Sequence, residues 1–130
     1  LDENPNKLFR VEDGLLKVRY AKTDTFKNEF GHLFYKDSFQ HYRLRVEYRF
    51  VGEQLALSPD WAYKNNGIMI HGQSAESMAL GQAFPISLEV QLLGADKCQI
   101  RPTGNLCTPG TSVVINGMRV VEHCINSDLL

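Results

Sequence analysis

Two short stretches constrain this chain most: residues 65–72, Asn65-Asn66-Gly67-Ile68-Met69-Ile70-His71-Gly72, and residues 87–94, Ser87-Leu88-Glu89-Val90-Gln91-Leu92-Leu93-Gly94. Ile68 and Ile70 alternate with Gly67, Met69 and His71, and Leu88, Val90 and Leu92 alternate with Glu89 and Gln91. Side chains two residues apart share one face of a strand, so each stretch reads as a β-strand that gives one apolar face to a core. A face that only meets water usually carries Lys, Thr and Ser. This one carries a glycine, a methionine, an imidazole, a carboxylate and an amide, a set suited to lining a polar ligand such as a sugar.

Strand patterns dominate the rest of the chain. Residues 8–11 and 15–20 flank Glu12-Asp13-Gly14, a hairpin-like turn, and residues 31–35 form a short apolar run. The longest expected strand covers residues 42–51, where Tyr42, Leu44, Val46, Tyr48 and Phe50 alternate with Arg43, Arg45, Glu47 and Arg49. Leu44, Val46 and Tyr48 are therefore expected in the core with Ile68, Ile70, Leu88, Val90 and Leu92. Asn116-Gly117 between residues 111–115 and 118–122 is the strongest short hairpin signal. The one helical expectation is residues 74–82, with Ser74 as cap and Glu76 early. Many short strands between turn signals predict an antiparallel β-sandwich or jelly roll. No internal repeat or boundary interrupts the pattern, so residues 1–130 read as one domain.

Composition excludes several function classes. A formal net charge of −1 gives no electrostatic footprint for nucleic acid or an anionic membrane surface. No run approaches the roughly 18 apolar residues of a spanning helix. Of the three cysteines, Cys107 and Cys124 flank the 111–122 hairpin. A hairpin brings its ends together, so these two are expected to form a disulfide, with buried free thiols as the alternative. A bridge would imply an oxidising compartment, periplasmic or extracellular. Cys98 is then left over as a packed thiol. No phosphate-binding glycine loop or nucleophile elbow is present. His71 and Glu89 are two candidate ligands for a divalent cation, too few for a metal-site pattern, so no cofactor is assigned.

The order of motifs is more specific than any one of them. Val11-Glu12-Asp13-Gly14-Leu15-Leu16, Phe30-Gly31-His32-Leu33-Phe34 and Tyr42-Arg43-Leu44-Arg45-Val46-Glu47-Tyr48-Arg49 are followed by Asn66-Gly67-Ile68-Met69-Ile70-His71-Gly72. Glu89-Val90-Gln91-Leu92-Leu93-Gly94 and Thr103-Gly104-Asn105-Leu106 complete the series. The set resembles the 3-keto-disaccharide hydrolase domain family over nearly the whole chain, and the resemblance implies a concanavalin-A-like jelly roll. Two departures stand out. His71 occupies a position where the family often has arginine, and family domains generally continue beyond Leu130 with a further strand pair. The chain therefore reads as truncated at its C-terminus, and open sheet edges would favour a homo-oligomer.

The resemblance implies hydrolysis of 3-keto-glycosides or disaccharides by elimination and hydration. A ketone at C3 acidifies the hydrogen at C2; a base removes it, the enolate expels the glycosidic oxygen from C1, and water adds to the enone. Such a route needs a base, a stabiliser for the enolate oxygen and a proton for the leaving group. Glu89 is the expected base, with His71 or Arg49 near the oxyanion. Gln91 and Asn66 are expected to orient hydroxyls, with Glu47 and Arg49 approaching from a neighbouring strand. Trp61 and Tyr63 precede the central strand, and Trp61 is the candidate for stacking on a sugar ring, although aromatics also pin loops to cores. His32, His41 and His123 read as surface or structural residues.

Two other classes compete. A retaining glucanase on this fold places Glu-x-Asp-x-x-Glu on one strand, with carboxylates about 5–5.5 Å apart. Here that spacing reads Glu89, Gln91, Gly94, so only the first carboxylate is present. A non-catalytic carbohydrate-binding module needs stacking and hydrogen bonds but no base, and the same face serves it equally well.

Overall fold

Asp13-Gly14 and Asn116-Gly117 each reverse the chain within two residues. In the computed structural model all four have positive φ, 54°, 73°, 51° and 79°, as a type I′ hairpin turn requires. The structure describes residues 4, 7–20, 25–27, 30–95, 100–120 and 123–129. The chain divides into two units, Leu1–Ser58 and Pro59–Leu130. It is all-β with antiparallel sheets, as expected; among the described residues the only helical elements are three short 3-10 turns.

In the first unit, β1 (Phe9–Glu12) pairs antiparallel with β2 (Leu15–Val18). The Lys17 ammonium lies 3.0 Å from Glu12 and 3.4 Å from Asp13, a charge cluster that spans the turn. The chain then returns through a single parallel bridge, Thr25 to Ala56. Residues 31–35 and 42–51 do not form the expected strands, since no ladder includes them among the described residues. Leu44, Val46 and Tyr48 are 55%, 46% and 48% exposed, not core. The reason is physical. Alternation specifies which face a strand would bury, but a strand exists only when a neighbour accepts and donates its ladder bonds. Aromatic side chains here meet one another instead, Tyr35 with Phe39 and Phe39 with Tyr42, at centroid separations of 5.4 and 6.2 Å.

The second unit carries the main sheet. β3 (Asn65–Ile70), β4 (Leu88–Leu93), β5 (Asn105–Cys107) and β8 (Cys124–Ile125) lie in the order β3-β4-β5-β8. β6 (Val113–Ile115) and β7 (Met118–Val120) form the separate Asn116-Gly117 hairpin between β5 and β8. The most buried side chains cluster where β4 meets β5: Cys107, Ser87, Thr108 and Asn105. Ile68, Ile70, Leu88, Val90 and Leu92 are half-buried.

The expected helix at residues 74–82 shrinks to a 3-10 turn, Ala75–Ser77, with no side-chain cap bond from Ser74. A single turn gains too few bonds to offset nucleation, and local side chains supply competing partners. Gln73 Nε2 donates to Ser77 Oγ at 3.0 Å, and its Oε1 accepts from Gln82 Nε2 and from the Ile86 amide, both at 2.7 Å.

Cys107 and Cys124 are disulfide-bonded and sit opposite each other in the β5–β8 register. Cys98 lies outside the described residues. β8 has only two register pairs to β5, so the covalent link contributes much of what holds it. For residues 17 apart, loop-closure entropy gives about 3 kcal/mol. Urea unfolding with and without reductant should show a loss of roughly that size, about 2–4 kcal/mol. An unchanged midpoint would mean that the bridge does not stabilise the folded unit.

Candidate functional site

The site is built on the row that the ladder places across β3, β4, β5 and β8. Gly67 pairs with Gln91 and Met69 with Glu89; Gln91 in turn pairs with Asn105, and Glu89 with Cys107. Directly opposed residues share a face, so Gly67, Met69, Glu89, Gln91, Asn105 and the Cys107–Cys124 bridge line one side of the sheet. Ile68, Ile70, Leu88, Val90, Leu92, Leu106 and Ile125 take the other.

Glu89 does not project straight outward. Its side chain leans diagonally across β3 over Gly67, where a Cβ would stand 2.0 Å from Oε1 and 2.6 Å from both Cγ and Cδ. Any side chain at position 67 would occupy the space that the carboxylate fills. Gly67 does not adopt positive φ, so what its missing side chain provides is room: a Cβ here would push the flexible Glu89 side chain to another position. Among the described residues no hydrogen bond or ion pair reaches the Glu89 carboxylate. Partial burial disfavours the charged form and raises its pKa above the ordinary value.

Gln91 and Asn105 form the polar half of the row. Asn105, 7% exposed, donates from Nδ2 to Gln91 Oε1 at 2.9 Å and to the Pro102 carbonyl at 3.1 Å. Its Oδ1 accepts from the Ser127 amide at 3.0 Å. Sequence reasoning did not single out Asn105 as a site residue. The available signal was an amide side chain just after Gly104, in a short β segment where Asn is normally depleted. Arg101 ties down the end of this region through Nη1, which donates to the Tyr63 carbonyl and, at 3.5 Å, to that of Gly94.

The other expected site residues fall in different places. Asn66 pairs with Leu92, on the side opposite Glu89, and its Oδ1 accepts from the Gly67 amide at 2.8 Å. His71 follows the last β3 residue with φ 50°, exposed. That left-handed turn takes it off the ladder, so the alternation no longer sets its direction. It makes no hydrogen bond to Glu89. Trp61 is half-exposed in the 3-10 turn Asp60–Ala62, its ring edge-on to Phe84 at 6.4 Å. Glu47 and Arg49 belong to the first unit and are exposed, with Glu47 bonded to Arg45.

One carboxylate, half out of water beside an oriented amide, suits proton transfer. No group of three or more His, Cys, Asp or Glu side chains stands together as a metal site among the described residues.

The raised pKa of Glu89 has a measurable consequence. Folding favours its protonated form, so the stability it contributes is full below the ordinary glutamate pKa of about 4.3 and is lost as pH rises through the raised value. Glu89→Gln keeps the shape without the charge. Its melting temperature should match the wild type near pH ~4 and exceed it near pH ~7. An identical difference at both pH values would show that the carboxylate is not desolvated.

A family model described as 3-keto-alpha-glucoside-1,2-lyase-like domain matches residues 2–116. No curated protein matches the chain, and no solved structure does.

Proposed function

The chain belongs to the 3-keto-alpha-glucoside-1,2-lyase-like domain family, and from that premise we propose that it cleaves 3-keto-glycosides by elimination, with Glu89 as the base. The family's description points to carbohydrate chemistry at a 3-keto sugar. The single observation that carries the residue assignment is the Glu89 carboxylate itself: half-buried, without a hydrogen-bond or ion-pair partner among the described residues, and lying over Gly67.

The step balances as follows. Glu89 accepts the proton from C2, and the C–H electron pair forms the C2=C3 bond while the carbonyl pair moves to O3. The enolate then re-forms the C3 carbonyl and shifts its double bond to C1=C2, breaking the bond from C1 to the glycosidic oxygen. The proton held by Glu89 passes to that oxygen, which leaves as an alcohol. Water adding across C1=C2 completes net hydrolysis. A carboxylate whose pKa is raised is a stronger proton acceptor, and its acid form is still far more acidic than the alcohol it must produce.

The remaining groups support binding. Trp61, half-exposed, offers a ring for stacking on a sugar, and Gln91 offers an amide beside the base. We assign no step to His71, Asn66, Arg49 or Glu47. The disulfide supports an exported location, since such bonds persist in oxidising compartments.

Turnover of a 3-keto-disaccharide tests the proposal. Glu89→Gln should lower kcat by about 10²–10⁴-fold with little change in KM. The wild-type rate should fall with acid, beginning at a higher pH than for an ordinary carboxylate, because the base must be ionised and its pKa is raised. Full activity in Glu89→Gln would remove Glu89 from the mechanism. Binding of keto-sugars without turnover by the wild-type chain would make this a carbohydrate-binding module instead.

A further inference from the structure

The amide of Gln91 has a fixed polarity. Amide side chains are ambiguous when their neighbours both donate and accept, but the neighbours of Asn105 do not. The Pro102 carbonyl only accepts, so it selects Nδ2; the Ser127 amide only donates, so it selects Oδ1. Asn105 is thereby locked by two backbone groups. With Nδ2 also facing Gln91, the Gln91 side chain must present Oε1 inward. Its Nε2, with two N–H donors, is turned away from Asn105. Among the described residues it has no hydrogen-bond partner.

Gln91 and Glu89 stand two apart on β4, on one face, and the Glu89 side chain leans over Gly67, the register partner of Gln91, which carries its carboxylate toward the level of the Gln91 amide. A proton acceptor and an N–H donor that are neighbours on one face can flank an α-carbon and the oxygen of its carbonyl, one on each side. We propose that Gln91 donates its Nε2 hydrogen bond to the C3 carbonyl oxygen of a 3-keto sugar and holds the enolate formed there, and that Asn105 is the positioning residue that turns this donor toward substrate. The inference rests on the elimination reading above and deepens it: the site selects a sugar bearing a hydrogen-bond acceptor, not a hydroxyl donor, at C3. An amide of the reverse polarity would select the opposite.

A 3-keto sugar ring with hydrogen in place of the C1 substituent tests this, because it can lose its C2 proton but has no leaving group. Exchange of that proton for deuterium in D2O reads the first half-step alone. Gln91→Met removes the donor without adding charge, and should lower both exchange and disaccharide kcat by about 10²–10³-fold, as loss of one oxyanion donor does, with KM within a few-fold. Asn105→Asp turns the inner partner into an acceptor, so Gln91 swings its NH2 inward and offers an oxygen to O3. The same loss of kcat with retained KM is expected, which a merely structural residue would not give. Should Asn105→Asp not fold, the side-chain amide resonance of Gln91 provides a second measurement. It is identified by its absence in Gln91→Met and should shift when the probe sugar binds the wild type. Gln91→Met at full kcat, or an amide resonance indifferent to the probe, overturns the inference while leaving Glu89 as base. No exchange by the wild type, or exchange undiminished in Glu89→Gln, instead overturns the elimination reading or its base.

Discussion

The pairing of β3 with β4 organises everything that bears on the candidate site. Six register pairs run from Asn65–Leu93 to Ile70–Leu88 without a bulge, and a period of two then assigns every side chain to one face or the other. A slip of one residue in β4 would carry Glu89 and Gln91 to the side of Ile68 and Ile70, and Val90 to the other. Gly67 adds a second constraint, because Glu89 can lie across β3 only where its neighbour lacks a side chain. Desolvation of the carboxylate follows from these two facts of backbone geometry. Among the described residues no opposite charge offsets it, and a half-buried acid without one costs stability.

Periodicity was informative where strands found partners. The faces of β3 and β4 follow from alternation of Ile68 and Ile70, and of Leu88, Val90 and Leu92. The Asn116-Gly117 hairpin and the Cys107–Cys124 bridge follow from local turn chemistry and the closeness of hairpin ends. Residues 42–51 show that alternation alone does not make a strand. Their alternation is as clear as that of β4, but ladder bonds are a property of two segments, and one segment's pattern does not reveal whether the second arrives. Residues 74–82 fail for a different reason, since Gln73 and Gln82 offer the backbone and each other bonds that no helix-propensity scale counts.

The candidate site was legible to the same degree as its strands. Glu89 and Gln91 fall on the face their parity predicts. Asn66 shows how parity constrains a strand: it is two residues from Ile68 and belongs with the apolar side, whatever its chemistry suggests. His71 escapes parity altogether because φ 50° ends the strand at Ile70. Asn105 was hidden by brevity, since three residues of β5 carry no measurable period, and its role depends on partners 14 and 22 residues away in the chain.

That last separation has a consequence for biosynthesis. The amide row is finished by Ser127, and its outer edge by Cys124, both of which follow β3 and β4 by more than thirty residues. A nascent chain that has emerged only through Asn105 can already pair β3 with β4 and set Glu89 over Gly67. It lacks the donor that locks Asn105 and the thiol that closes the edge. The carboxylate is thus placed before the amide beside it is aimed, and the row is complete only once the segment carrying Cys124 and Ser127 has left the ribosome and met an oxidant.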